Sequence, residues 1–211
     1  IEGIYQSVTR LYRNEPGPVE NMEVLLVAFT GNAAHNIHGM TAHSAFHLAT
    51  TEGTSKFTNL SDDIRNTLSC RLRNLKLLII DEISMLSVDH LIEISERLKE
   101  IRGVDLPFGG ISVICVGDFH QIRPVAGNYV FEDPSGKGLK KIAGNQLWKL
   151  FEMYELTEIM RQKEDKTFAE ILQRLGDYKQ TKEDMEVLKT RMFTEANLPE
   201  SGRNAVRLVR T

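Results

Sequence analysis

Three continuous apolar runs divide the chain into strand-like and helix-like segments. Val24–Phe29, Leu75–Ile80 and Ile111–Val116 are rich in Val, Leu and Ile, as strands buried on both faces of a parallel sheet are. The pattern also predicts a short strand at Met153–Leu156 and another beginning at Ala205–Val209. Parallel strands joined through helices need crossover connections, so the sequence predicts an α/β fold with a mostly parallel sheet and flanking helices.

The helical spacing of apolar residues predicts helices in the segments before, between and after these strands. Ser61 is a cap signal for a helix running to about Arg73, and Ser87 is a weaker one for Val88–Ile101. The latter helix places four apolar side chains on one face: Leu91, Ile94, Leu98 and Ile101. Further helices are predicted at Ile1–Tyr12, Ala33–His38, Thr41–Leu48, Gln146–Phe151, Lys166–Leu175 and Glu183–Arg191.

Composition predicts a soluble protein. The apolar runs are far shorter than the ~20 residues of a membrane-spanning helix. The formal net charge of −3 gives no overall signal for nucleic acid, although Arg65, Arg71, Arg73 and Lys76 form a local basic cluster. The two cysteines show no paired spacing, so a reducing intracellular setting is the expectation.

The strongest chemical signal is a pair of carboxylates at the end of the second apolar run. Asp81 and Glu82 directly follow Leu77–Ile80, and open α/β sheets bind ligands at the carboxyl ends of their strands. In nucleotide hydrolases the first acid of such a pair holds Mg²⁺ and the second polarises the attacking water. An ordinary strand followed by a solvated acidic turn is the alternative.

Two further segments offer matching chemistry. The third run leads into Gly117, Asp118 and Gln121, and a glutamine can contact a γ-phosphate and orient a water. A βα turn capped by Asp118 is the structural alternative. Arg161 follows the predicted strand Met153–Leu156, and an arginine at a γ-phosphate stabilises transition-state charge. From spacing alone, an ordinary surface position is the favoured interpretation of this arginine.

Four motifs in order give the chain a resemblance to a known family. They are VLLVAFTGNAAHNIHGMTAHS (Val24–Ser44), LLIIDEISM (Leu77–Met85), VGDFHQIRPV (Val116–Val125) and LTEIMRQKEDKTFAEILQRL (Leu156–Leu175). In this order they resemble the petite-integration-frequency (Pif-type) DNA helicases, in particular the branch similar to Helitron transposons. Those helicases are ATP-driven 5′-to-3′ motors of superfamily one, built on RecA-like P-loop NTPase domains.

The resemblance implies roles for particular residues. Asp81 would hold Mg²⁺ through water, Glu82 would activate water, Gln121 would sense the γ-phosphate, and Arg161 would be the arginine finger; all four would contact the ATP site. The residues expected to face single-stranded DNA are Thr30, Gly31, Thr41, His43 and Ser44. Hydroxyl contacts to the DNA backbone would bind without sequence specificity.

The resemblance also sets expectations for the whole protein. It implies ATP and Mg²⁺ as cofactors, single-stranded DNA and duplex junctions as partners, no membrane association and a monomer. A nuclear location is expected, with the mitochondrion as the alternative. Roles in DNA repair, recombination and telomere maintenance are expected, and a transposon role stays open. Residues 1–200 are expected to form an incomplete first RecA-like domain and residues 201–211 the start of the second.

The sequence departs from the family pattern at three points. Phe29 and Arg123 occupy positions where the family usually has proline, and the chain has no G-x-x-x-x-G-K-[ST] phosphate-binding loop. In the family that loop directly precedes a helix like Ile1–Tyr12, so the chain is expected to begin just after it. Without the lysine and backbone N–H groups that cradle phosphates, the 211 residues alone are expected not to hydrolyse ATP.

Three other functions are compatible with parts of the sequence. His43 and His47, with His35 and His38 nearby, suggest a zinc site, but Ser44 stands where a catalytic zinc motif requires glutamate. A dinucleotide-binding oxidoreductase is disfavoured because no G-x-G-x-x-G follows any predicted strand. The main alternative is a non-catalytic descendant of a helicase that binds single-stranded DNA or a partner protein.

Overall fold

The computed structural model describes residues 1–12, 22–48, 59–125, 127–134, 145–160, 162, 165–194 and 197–199. The chain forms two compact units, Ile1–Met153 and Tyr154–Thr211. The predicted division into residues 1–200 and 201–211 stays a prediction, and residues 201–211 lie outside the described part.

A four-stranded, all-parallel sheet is the centre of the first unit. Its strands are β1 (Val24–Ala28), β2 (Met40–Thr41), β3 (Leu77–Asp81) and β4 (Ser112–Cys115), in the spatial order β2-β1-β3-β4. The α/β class with a parallel sheet is thus confirmed, and the three continuous apolar runs form β1, β3 and β4. Strand β1 is buried along its whole length, and β3 is buried except at Asp81.

The short strand β2 was not predicted, and a glycine explains how it reaches the sheet. A Cβ atom on Gly39 would lie 2.4 Å from the carbonyl oxygen of Leu26. Only a residue without a side chain allows such an approach between neighbouring backbones. Gly39 therefore lets the chain pair with β1 at the next two residues, Met40 and Thr41.

The register of the sheet brings three strand ends into one row. Ala28 of β1 lies opposite Thr41 of β2 on one side and opposite Asp81 of β3 on the other. Neighbouring strands are ~4.8 Å apart, so the backbones of Thr41 and Asp81 are ~10 Å apart across this row. Both residues lie at the carboxyl end of the sheet, where open α/β folds place ligands.

Helices cover the sheet and close the core. The predicted apolar face of helix α5 (Val88–Arg102) is confirmed, because Leu91, Ile94, Leu98 and Ile101 are all buried. The helices are α1 (Glu2–Tyr12), α2 (Gly31–Asn36), α3 (Ala42–Phe46), α4 (Asp62–Arg71), α5 (Val88–Arg102), α6 (Lys166–Gly176) and α7 (Lys182–Lys189). Among the described residues, no helix has the length and apolar character needed to cross a bilayer.

Two predicted elements differ from the structure, and a third lies outside the described part. Met153–Leu156 forms no strand, and the side chains of Met153 and Leu156 are 84% and 90% exposed. A short apolar run becomes a strand only when another strand pairs with it, and no described strand does so. The helix predicted at Gln146–Phe151 is a single 3₁₀ turn over Trp148–Leu150. The strand predicted at Ala205–Val209 is among the residues that are not described.

In the second unit, a partly buried ion pair joins α6 to α7. Arg174 donates to both carboxylate oxygens of Asp184, at 2.8 and 2.7 Å. Asp184 also accepts a hydrogen bond from the backbone N–H of Thr181, and the Thr181 hydroxyl accepts one from the backbone N–H of Asp184. This capping box fixes the start of α7. Hydrogen bonds from Arg174, followed by that from Thr181, lower the pKa of Asp184 to about 2.

We expect acid to destabilise this helix pair. An unfolded aspartate has a pKa of ~3.9, so the carboxylate of Asp184 contributes stability above that value and loses it as the pH falls toward 2. Thermal unfolding followed by circular dichroism from pH 5 to pH 2 should show a smaller fall in Tm for Asp184→Asn than for the wild type. Glu186→Gln, which changes an exposed pair with Lys189, should follow the wild type. Identical pH profiles for Asp184→Asn and the wild type would contradict the assignment.

Candidate functional site

The two predicted acids lie where β3 leaves the sheet. Asp81 is the last residue of the strand, and Glu82 has φ 52° and ψ 48°, in the left-handed region. That conformation costs a residue with a Cβ atom roughly 1–2 kcal/mol. A 3₁₀ turn over Ile83–Met85 follows directly. Non-glycine residues in such a conformation concentrate at functional sites, and Glu82 is the residue predicted to activate water.

The end of β4 contacts this turn through its backbone. The N–H of Ile83 donates to the carbonyl oxygen of Val116 over 3.0 Å. A Cβ atom on Gly117 would lie 2.8 Å from the nitrogen of Ile83, so the close passage of the two segments requires glycine at this position. The structure therefore brings the acidic strand end and the segment leading to Gln121 to the same edge, as the sequence predicts.

Asp118 organises the turn that carries Gln121. Its carboxylate accepts from the backbone N–H of His120 at 2.9 Å, and its carbonyl oxygen accepts from the backbone N–H of Gln121 at 3.0 Å. The His120 N–H is also the main reason that the pKa of Asp118 lies below its usual value. The Gln121 side-chain amide lies 3.5 Å from the Asp118 carboxylate, and Gln121 is exposed. Gln121 is thus held at the edge of the sheet and accessible to a ligand.

The donor set at this edge fits a magnesium ion that keeps water and nucleotide ligands. No three His, Cys, Asp or Glu side chains form a metal-binding group in the part of the chain that the structure describes. Magnesium ordinarily uses one or two carboxylates and takes its other ligands from water and phosphate oxygens, so Asp81 is enough as the protein's own contribution to such a site. Two residues beyond Glu82, the hydroxyl of Ser84 is buried without a hydrogen-bond partner among the described residues.

The residues predicted to face DNA lie beside this edge, at the ends of β1 and β2. The Thr30 hydroxyl caps α2 by accepting from the N–H of Ala33, and the Thr41 hydroxyl caps α3 by accepting from the N–H of Ser44. Thr41 also donates to the exposed hydroxyl of Ser44 over 2.9 Å. A Cβ atom on Gly31 would meet open space. The two threonines are therefore rigid parts of the surface, and Ser44 is the more accessible hydroxyl.

An aromatic cluster next to these hydroxyls was not predicted. The ring of His43 lies 5.0 Å from that of Phe29 and 5.5 Å from that of His90, between ring centroids. The sequence contained two partial signals: phenylalanine at a position usual for proline, and the Ser87-x-x-His90 spacing. Neither signal placed the three rings together, because they come from three separate segments.

Arg161 lies outside the described residues, so its predicted role as an arginine finger stays a prediction. The roles of Asp81, Glu82 and Gln121 in catalysis, and of the five residues predicted to contact DNA, stay predictions as well. The structure supplies their positions in the fold.

Comparison with known proteins agrees with the sequence motifs. Residues 8–186 match the model of a family described as PIF1-like helicase. The chain is 34% identical over 160 residues to the ATP-dependent DNA helicase PIF1 of Candida albicans, an alignment covering 73% of this chain and 17% of the relative. It is 30% identical over 170 residues to the ATP-dependent DNA helicase RRM3 of Saccharomyces cerevisiae, covering 79% of this chain and 22% of the relative.

Solved structures show the same fold. A crystal structure of Bacteroides Pif1 bound to single-stranded DNA matches with a TM-score of 0.67 and 28% identity, covering 89% of this chain and 43% of that one. A crystal structure of Pif1 helicase from Candida albicans matches with a TM-score of 0.67 and 32% identity, covering 86% and 38%. These matches identify the fold as RecA-like. The chain spans less than half of each relative and structure compared.

Proposed function

Because the chain belongs to the PIF1-like helicase family, we propose that it forms part of the motor of an ATP-dependent DNA helicase. The motor would move 5′ to 3′ along single-stranded DNA and unwind the duplex ahead. Its relatives are named ATP-dependent DNA helicases, and a structural neighbour is described as bound to single-stranded DNA.

The row formed by Thr41, Ala28 and Asp81 is the observation that carries the proposal. Thr41, a predicted DNA contact, and Asp81, the predicted Mg²⁺ acid, lie at the ends of β2 and β3, the two strands that flank β1. Strands β2, β1 and β3 are paired side by side in a close-packed interior, so we expect a shift at the end of β3 to displace β1 and β2 as well. Such proximity suits a motor that couples nucleotide state to DNA contact.

The same edge supplies the residues for hydrolysis. ATP with Mg²⁺, when bound, supplies a phosphoanhydride bond whose cleavage develops charge on the γ-phosphate. Asp81 would hold the ion through water, Glu82 would take a proton from the attacking water, and the amide of Gln121 would contact the γ-phosphate. Arg161 would stabilise the developing charge.

The proposal extends to partners and setting. Single-stranded DNA and duplex junctions are the proposed substrates, with the protein acting as a monomer. A nuclear site of action, a role in repair, recombination and telomere maintenance, and membership of the Helitron-like branch follow from the motif resemblance alone.

Strand polarity provides the direct test. A helicase containing this chain, supplied with ATP and Mg²⁺, should unwind a partial duplex with a 5′ single-stranded tail and leave one with a 3′ tail intact. Gel separation of labelled strands measures both reactions, and blunt duplex serves as the control. Unwinding from the 3′ tail would contradict the proposed direction. Binding to tailed DNA without ATP hydrolysis would support the non-catalytic alternative instead.

A further inference from the structure

Phe29 places an aromatic ring at the carboxyl end of β1, directly before the DNA-facing residues Thr30 and Gly31. The ring is partly buried and packs against the main core. His43 comes from α3 and His90 from the first turn of α5, and both are partly exposed. Three separate segments thus bring rings to a surface that the proposed function assigns to single-stranded DNA.

The rings meet edge to face or tilted rather than stacked face to face. The interplanar angles are 60° for Phe29 and His43, 54° for Phe29 and His90, and 68° for His43 and His90. Phe29, His43 and His90 are all partly exposed, so the cluster is accessible to a ligand that stacks on a ring face. An unpaired base stacks on such a face whatever its identity.

The start of α5 holds His90 in place. Its Nδ1 lies 2.8 Å from the hydroxyl of Ser87, a buried residue that also caps the helix by accepting from the backbone N–H of His90. The N–H of Val88 donates to the carbonyl oxygen of Asn128, which ties this turn to a second segment. A ring fixed before binding loses little conformational freedom when a ligand arrives.

The electrostatics of the cluster disfavour the charged form of the His90 ring. Burial, followed by the nearby His43, lowers the pKa of His90, while Glu93 and Asp89 act in the opposite direction. A neutral imidazole beside a phenylalanine ring offers a π face rather than a positive charge for a phosphate. The cluster is therefore suited to the base of a nucleotide more than to its phosphate.

We propose that Phe29 and His43, with His90 holding their rings in place, form a stacking site for one unpaired base of single-stranded nucleic acid. This inference rests on the proposed function, because it places the base on the surface assigned to DNA. Stacking would increase the affinity for single-stranded nucleic acid without a preference for any base.

Fluorescence of 2-aminopurine tests the proposal on the purified 211-residue chain. The base is moved stepwise through a dT oligomer, and anisotropy of an end label gives the affinity in parallel. Stacking on a ring should quench the 2-aminopurine at one position on binding. His43→Ala should abolish this quenching and weaken binding about tenfold, within the range measured for base–aromatic stacking. His43→Phe keeps a ring without its nitrogens and should retain both signals.

Two further variants separate stacking from loss of folding. Phe29→Leu keeps an apolar side chain but removes a ring, so it should also reduce the quenching, with circular dichroism checking the fold. His35→Ala changes an exposed histidine on α2 and should bind within twofold of the wild type. Unchanged quenching in His43→Ala, or its loss in His43→Phe, would overturn the stacking site while leaving DNA binding intact. Failure of the wild type to bind the oligomer would overturn both this inference and the DNA contact in the proposed function.

Discussion

Replacing Glu82 with glutamine is expected to lower ATP turnover about 10²–10⁴-fold in a helicase that contains this chain, the range typical of a lost general base. The glutamine amide cannot accept the proton of the attacking water at neutral pH. It has nearly the same size as the carboxylate, and like glutamate it carries a Cβ atom, so the left-handed backbone at φ 52° is equally strained in both proteins. ATP binding should be retained, because Asp81 still holds the ion.

Turnover is measured by phosphate release in the presence of single-stranded DNA, and binding by the fluorescence of a labelled ATP analogue. Glu96→Gln is the matched control, since Glu96 lies on α5 in a surface ion pair with Lys99 and should leave turnover unchanged. If Glu82→Gln hydrolysed ATP at the wild-type rate, the base would have to be another residue. If ATP binding were lost as well, Glu82 would be a ligand rather than a base.

The parallel sheet could be predicted because its information is local. Strands β1, β3 and β4 are continuous apolar runs. This is the sequence pattern expected of strands that are buried on both faces of a parallel sheet. Strand β2 has two residues and depends on the fit of Gly39 against Leu26, a tertiary contact that no local pattern contains. The apolar run at Met153–Leu156 shows the reverse case, because its composition fits a strand but no described strand pairs with it.

Some features of the candidate site could likewise be predicted from the sequence, and others could not. Asp81, Glu82 and Gln121 could be placed at one edge from the sequence, because parallel strands all end on the same side of a sheet. The left-handed backbone of Glu82 and the capping roles of Thr30 and Thr41 depend on turns that residue type alone does not determine. The ring cluster of Phe29, His43 and His90 required contacts between residues up to 61 positions apart, and only the folded chain provides them.

Arg97 is expected to contribute more to stability than the surface ion pairs of α5. Its guanidinium is buried and bonds this helix to α3, the helix that carries the predicted DNA contacts His43 and Ser44. Its Nε donates to the carbonyl oxygen of Phe46 at the end of α3, and Nη1 lies 2.6 Å from Glu100. Glu100 in turn accepts from the backbone N–H of Leu60. The pair thus anchors the chain on both sides of residues 49–58.

Arg97→Met should lower the free energy of unfolding by about 3–5 kcal/mol, the cost of leaving a buried charge without its partner. Methionine fills much of the volume but leaves the Glu100 carboxylate and the Phe46 carbonyl without this donor. Urea unfolding followed by circular dichroism measures the change. Lys99→Met, on the same helix, removes surface pairs with Glu96 and Asp105 and should cost about 0–1 kcal/mol. The double variant Arg97→Met, Glu100→Gln should recover part of the loss, because Glu100 is then neutral, while Glu93, 4.0 Å from Arg97, keeps its charge. Equal effects of Arg97→Met and Lys99→Met would show that Arg97 does not anchor α3.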